Sequence, residues 1–487
     1  MSTFQKAIQH FKNNELDKAN QCIVPLLEQN PSASDLWHLY GIIAARQKHN
    51  HLAINSLNKA CALSSNNGEY LFNLANVYRQ AKMLERAIET YQKAKKVAKN
   101  KRSVNINYGI ALKEKGLYDQ ALTVFQEILQ EQADDVQAHI NIGNIFTQMR
   151  HYAPAMAYYD KALQLHPKHE EAHRNKALLL LTQGKLKEGF EEYEWRWIKN
   201  GQHFERNLKP RLWDGTDLSG KHMFVWGEQG LGDEIMFASI FPELIQKARK
   251  VSIECAPRLL PIFNRSFPQA ELVYTKSPTH DPFLFPDADF QSPSGSLMRF
   301  LRTSFDHFPK HKGFLKADPK KVKELNARYY VSDKKLKVGI SWTSFRDYDH
   351  PAKLELWEPI LTIPHIQFYN LQYGDCLAEI EEMEKKLNIK IIHDPDIDPL
   401  KSIDDQAAQI QTMDLVISTG NTTSQLVGAL GKPIWVMLPI SSDWHWFSNR
   451  DDSPWYPYMR FFRQPRLKDW ESVVLHVSDA LKKWISN

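Results

Sequence analysis

Cysteine is scarce in this chain, with four residues among 487. Cys22, Cys61, Cys255 and Cys376 stand far apart, so no disulfide framework and no Cys-based metal or redox motif is spelled out. That usage fits a reducing compartment. Long apolar runs are missing too: none has the length that spans a bilayer. Residues 1–18 mix charges with apolar positions and lack the apolar core of a signal peptide. Nor is one sign of charge in excess. Lys and Arg total 62 against 57 Asp and Glu, a formal net charge of +5. The densest basic cluster, residues 93–101, reads as a solvated helix end. These absences argue against a nucleic-acid binder, a membrane-spanning protein and a secreted disulfide scaffold. They predict a cytoplasmic protein, and its length suggests about three domains.

What the chain does have is a repeat. Small residues recur at Gly41, Ala75, Gly109, Gly143 and Ala177, a step of 34 each time. A second series, Ala19, Ala53, Ala87, Ala121, Ala155 and Gly189, keeps the same step, and Tyr91, Phe125, Tyr159 and Tyr193 track it. Gly116 and Gly184 mark turns, and Pro31 and Pro167 mark pair ends. Between these marks apolar residues fall at helical spacing. Helix pairs of this period, with small residues where helices cross, resemble the tetratricopeptide repeat. About five and a half repeats are expected over residues 1–200, offering a concave protein-binding surface.

One further series keeps the step of 34: Asn73, Asn107, Asn141 and Asn175. Asn76 and Asn144 lie one helical turn from the series, on the same face. A side-chain amide both donates and accepts, so a column of amides can pair with peptide bonds whatever the side chains. The alternative is that each Asn bonds a neighbouring helix. Both readings stand at this level.

Residues 190–222 change character. The aromatics of 191–197 are expected to dock the last repeat onto the next domain rather than leave an exposed apolar face. Pro210, Gly215 and Gly220 break any helix, so 201–220 reads as a linker. Beyond it, strands alternate with helices: 222–226, 251–255, 336–342, 366–371, 389–392, 415–418 and 434–438 read as strands. This alternation predicts two successive α/β domains with parallel sheets, over 221–330 and 331–487, the second closed by a C-terminal helix. Ligand is expected at the carboxyl ends of the strands, in the cleft between the domains.

Three turns carry candidate chemistry. The first strand runs into Gly227-Glu-Gln-Gly-Leu-Gly-Asp233. The glycine order is not that of a dinucleotide loop. Gln229, Gly230 and Gly232 let backbone approach a ligand, or merely make a tight turn. Asp233 near the helix start is either functional or a plain N-terminal acid. The second turn ends a strand at Gly420 and opens a helix with Asn421, Thr422 and Thr423, a pattern that suits phosphate, or an ordinary N-cap. The third, Ser341-Trp-Thr-Ser-Phe-Arg346 with Lys353 beyond, brings hydroxyls and cations able to neutralise a phosphate, or is a solvated loop. The acid run at Asp394, Asp396 and Asp398 reads as a rigid turn, and no metal is expected. Trp444, His445 and Trp446 either stack a ligand or pack the hinge between domains.

The turn at 227–233 is similar to the acceptor side of heptosyltransferase-like glycosyltransferases of the GT-B fold, two Rossmann-like domains around a central cleft. Residues 414–439 look like that family's donor side. The resemblance implies that Asp233 is the general base, that Asn421, Thr422, Thr423 and Lys353 contact the donor phosphate, and that no cofactor or metal is needed. The family's donor turn often carries an Asp and a His where this chain has Gly420 and Gln425. Repeats followed by such a pair of domains resemble protein O-glycosyltransferases, including flagellin glycosyltransferases. The implied activity is inverting transfer of a sugar from a nucleotide-sugar to Ser or Thr hydroxyls of a protein, flagellin first among candidates, held in the repeat groove. Ser341, Trp342, Arg346 and Gln425 complete the expected donor set, and Gln229, Gly230, Gly232 and the asparagines the acceptor set. Two alternatives remain at this level: a glycan or lipid acceptor, and a non-catalytic scaffold whose α/β half has lost activity.

Overall fold

The computed structural model describes residues 2–486 except 200, 201, 204, 205, 207, 275–284, 286, 331–334 and 345–351. Two compact units divide between Ala172 and His173, inside the first turn of the helix Glu170–Thr182.

The first unit is helical. Helices run Thr3–Lys12, Leu16–Gln29, Ser34–Arg46, Asn50–Leu63, Gly68–Gln80, Leu84–Val97, Lys101–Glu114, Tyr118–Glu131, Val136–Gln148 and Tyr152–Leu165. The turn inside each pair needs one left-handed residue. Asn14, Lys48, Lys82, Gly116 and Arg150 supply it, with φ between 60° and 83°. These positions also step by 34, yet Gly116 alone among them is a glycine, so composition hides most of the turn series. The small-residue series does what its spacing predicts. A Cβ on Gly109 would lie 2.6 Å from Phe125 Cζ, and one on Gly143 would lie 2.5 Å from Tyr159 Cε1. Backbone and ring are in contact there, and a side chain has no room.

The second unit begins within the helix Glu170–Thr182 and continues with the helix Leu186–Tyr193 and the 3-10 turn Glu194–Trp197. A short antiparallel hairpin comes next, β1 (Ile198–Lys199) with β2 (Gln202–His203). Trp195 stacks on His173 with ring centroids 3.7 Å apart, and Trp197 meets Trp226 edge-on at 5.0 Å. The junction aromatics therefore dock the last helices onto the first sheet, as their density suggests.

That sheet is parallel, in the order β3 (Arg211–Leu212), β7 (Phe290–Pro293), β4 (His222–Trp226), β5 (Lys250–Glu254), β6 (Glu271–Val273). The stretch 201–220 is thus more than a linker, because Arg211–Leu212 pairs with β7 as an edge strand. The second sheet is parallel as well, in the order β10 (Ile391–Ile392), β9 (Ile366–Asn370), β8 (Leu336–Ser341), β11 (Leu415–Thr419), β12 (Ile434–Leu438), β13 (Met459–Arg463). This is the doubly wound order of a nucleotide-binding domain. Every residue of β4, β11 and β12 is buried, which is why they read as continuous apolar runs. The helix Trp470–Ser486 closes the second sheet with Trp470, Val473, Val477 and Leu481 in its core. The order in which successive strands are laid down reverses beside β4 in one sheet and beside β8 in the other. Both switch points put their strand ends where a ligand-binding crevice forms.

Candidate functional site

The turn after β4 is held from within. Glu228 is buried and takes 2.8 Å bonds from Nε and Nη2 of Arg196 and a 2.7 Å bond from the Gly295 N–H. Arg196 also donates to Glu194 and to Ser296 Oγ, each at 2.8 Å. Burial opposes the charge on Arg196, but Glu228 and Glu194 outweigh it and raise its pKa. With Glu228 fixed, Gln229 adopts φ 66° and its amide donates to the Tyr193 hydroxyl. Burial pushes that phenol up to about 12, so it stays protonated. Gln229, expected against the acceptor, is thus a strut between the turn and the last helix.

Gly230 then caps the helix Leu231–Phe237, and Asp233 Oδ2 accepts from the Gly230 N–H at 3.2 Å. Asp233 does act as an N-terminal acid. It also lines a cleft of about 220 Å³ shared by the two α/β domains, together with Gly230, Gly232, Asn421, Thr422 and Gln425. A Cβ on Gly232 would stand 3.5 Å from Thr422 Oγ1 and 3.6 Å from Gln425 Cγ. The glycine turn of one domain therefore faces the helix start of the other.

On the donor side the predicted residues separate. Asn421 caps the helix Thr422–Ala429: its Oδ1 accepts from the Ser424 N–H at 3.0 Å. Its Nδ2 reaches across the switch point to Ser341 Oγ at 2.9 Å and the Thr343 carbonyl at 3.1 Å. The cap is thereby pinned to β8, and the first N–H groups of the helix lack intrahelical acceptors. Four predicted donor contacts do not line the cleft. The Ser341 hydroxyl is fully buried between Gln372 and Asn421. Trp342 is buried, with its indole N–H on Glu379 at 2.8 Å. Thr423 turns its hydroxyl inward to accept from Gln406 at 3.1 Å. Lys353 is exposed and lies 3.6 Å from Glu355, in a separate depression with Glu379. The physical reason is that Gln372, Glu379 and Gln406 hold Ser341, Trp342 and Thr423 inward and Lys353 lies beyond the cleft beside Glu355, and spacing along the chain does not show which partners packing brings. Arg346 lies outside the described residues.

The asparagine series divides. Asn107 and Asn141 donate to carbonyls one turn back in their own helices, Ser103 at 3.0 Å and Gln137 at 2.9 Å, and Asn141 is 2% exposed. Asn73 pairs with His38 of the preceding repeat at 2.8 Å. Asn76 and Asn144 accept from the buried hydroxyls of Tyr91 and Tyr159 at 2.6 and 2.7 Å. These amides therefore bond neighbouring helices or their own, the alternative that stood beside a peptide-binding column. Asn175 belongs to the second unit. The acid run behaves as a turn: Asp394 accepts from Tyr329 at 2.6 Å and from Arg328 at 2.7 Å.

Two residues of this region acquire partners that sequence reasoning did not assign. His445 lines the cleft, and its Nε2 lies 2.9 Å from Gln425 Nε2, while the Tyr456 hydroxyl donates to Gln425 Oε1 at 2.5 Å. An imidazole thus reaches the donor side from a later loop, beside the position where Gln425 stands. Its neighbours Trp444 and Trp446 pack on Phe190 and Phe461. Glu234 is the other. Burial pushes it up to about 7, opposed by the Ala256 N–H at 2.9 Å and reinforced by Glu254 and Asp233. Adjacency to Asp233 was its only visible signal.

Comparisons with known proteins bear first on the helices. Models of the tetratricopeptide repeat match residues 68–101 and 136–169. Protein FlbA of Caulobacter vibrioides is 33% identical over 329 residues, which is 64% of this chain and 55% of that protein. The chain thus spans about half the length of that relative. The crystal structure of YrrB, a TPR protein with an unusual peptide-binding site, is similar at 23% identity and TM-score 0.33, over 36% of this chain and 91% of that one. PilW, a type IV pilus biogenesis factor, is similar at 17% identity and TM-score 0.37, over 41% of this chain and 91% of its own. The N-terminal unit is a tetratricopeptide solenoid, and an α/β region with parallel sheets comes after it. Among the described residues no helix is long and apolar enough to cross a membrane.

Proposed function

We propose that the chain is a protein O-glycosyltransferase of the GT-B type, with the repeats holding the acceptor protein. One observation carries the reading: Asp233, on one doubly wound domain, lines the same cleft as the capped helix start at Asn421 and Thr422 on the other. An acceptor hydroxyl between them loses its proton to the Asp233 carboxylate as its oxygen attacks the anomeric carbon. The bond from that carbon to the nucleotide phosphate breaks on the opposite side, which inverts the centre. The departing phosphate is met by the N–H and hydroxyl of Thr422 at the helix start. The preference for a protein acceptor rests on the tetratricopeptide unit, and flagellin is its leading candidate through the resemblance in layout alone.

Intact-mass analysis of proteins from cells with and without this chain tests the reading. A mass increment equal to a sugar, on one protein and only when the chain is present, is expected. No increment on any protein, together with no binding of purified chain to a panel of UDP-, GDP-, CMP- and dTDP-sugars, would overturn it.

A further inference from the structure

The first sheet carries a second cavity, of about 440 Å³, at the carboxyl ends of β3, β4 and β7. Its lining is aromatic and cationic. Trp197, Trp213 and Trp226 form apolar walls, and Arg206, Lys209, Arg211 and Arg299 bring positive charge. Glu194 is the one acid among the described lining residues, and it is already bonded to Arg196 and Ser296. Arg211 and Arg299 are exposed and lie over the rings of Phe290 and Phe300, at 4.6 and 4.8 Å.

Arg206 is the informative member. It is 6% exposed, and its Nη1 donates to Glu254 at 2.9 Å. Its Nε and Nη2 are buried and have no hydrogen-bond partner among the described residues. Those two atoms form one edge of the guanidinium, the edge with which Arg196 grips both oxygens of Glu228. A buried cationic donor pair without acceptors is costly, and a two-oxygen anion matches its geometry.

We infer that this cavity is a binding site for a small carboxylate carried on a ring, the carboxylate compensating Arg206 and the ring lying against the tryptophans. The site sits at the switch point of the first sheet, where parallel sheets bind ligands. The inference concerns binding alone and does not depend on the transfer reading.

The full chain is titrated with glucuronate and with benzoate, and with glucose and benzamide as uncharged counterparts, following tryptophan fluorescence and the heat of binding. At least one carboxylate is expected to saturate with Kd below about 1 mM, with its uncharged counterpart at least about tenfold weaker. Arg206→Gln is expected to weaken binding about tenfold or more. Arg299→Gln, an exposed change that leaves the core intact, is expected to weaken it about threefold. Should Arg206→Gln not fold by circular dichroism, Arg299→Gln decides. Failure of both carboxylates to saturate by about 10 mM, equal binding of the uncharged counterparts, or affinity unchanged in the folded variants overturns the proposal. Displacement of the carboxylate by inorganic phosphate at lower concentration also overturns it, since that marks a general anion site with no use for the ring.

Discussion

Asp233 does two things at once, and substitution can separate them. Its Oδ2 closes the cap on the Gly230 N–H, and its carboxylate is the proposed base. Asp233→Asn keeps an oxygen on that N–H and loses the ability to take a proton. The cap survives, less the attraction of a negative charge for the helix start, worth about 0.3–1 kcal/mol. In the large second unit that is a shift of a few degrees at most in Tm. A positioned general base contributes about 10²- to 10⁴-fold, so transfer should fall by that factor, with nucleotide-sugar affinity unchanged because donor contacts lie on the other domain. Asp233→Ala removes cap and base together. Its transfer should be as low as that of Asp233→Asn, and its stability lower by about 1 kcal/mol. The assay is product formation by mass spectrometry at saturating donor, with thermal melting and donor titration on the same preparations. Activity of Asp233→Asn within about threefold of the parent, against the factor expected for a lost base, refutes the assignment of Asp233 as base.

Other expectations rest on packing and charge. Arg196→Met strands Glu228 in the interior without its partner, and a loss of about 3–5 kcal/mol is expected in denaturant unfolding of the second unit. Glu234, ordinarily near 4.5 and raised to about 7, stays protonated in the folded state where the unfolded chain has ionised. Stability from this group is therefore fully present below 4.5 and is lost as pH rises towards 7. Glu234→Gln should flatten that stretch of the stability profile, by a difference on the order of 3 kcal/mol, as read by urea unfolding across the range. Gly143→Ala drives a methyl into the Tyr159 ring, itself tied to Asn144, and should cost about 1–3 kcal/mol in the first unit. Lys82→Gly, at φ 60°, should leave that unit as stable or up to about 1 kcal/mol more stable by thermal melting, since left-handed backbone suits glycine.

The helical unit was legible because its information is local and repeated. Gly109 and Gly143 announce a close crossing, and the rings of Phe125 and Tyr159 fill it at a constant distance along the chain. The turn residues were half hidden: Lys48, Lys82 and Arg150 adopt the same left-handed backbone as Gly116, and nothing in their side chains advertises it. In the α/β half, strands such as β4, β8 and β11 stand out as apolar runs, whereas β7 contains Ser and Pro and was not picked out. The site divides in the same way. Asn421 and Thr422 were found because a strand, a glycine and a polar helix start are consecutive. Trp342 and Thr423 were misplaced because the partners that hold them inward, Glu379 and Gln406, come from elsewhere in the chain.

By itself the sequence determined the architecture: helix pairs at a step of 34, then two parallel doubly wound domains, with polar turns at their strand ends. Tertiary structure decided what those turns meet. His445 comes to Gln425 from twenty residues away, Tyr456 from thirty-one. Glu234 acquires its proton from burial, and Arg206 keeps an edge without an acceptor beside a cavity. Periodicity and turn chemistry act between neighbours along the chain and can be read there. Burial and pairing across a fold depend on which distant side chains the packing brings together, and no local pattern encodes that.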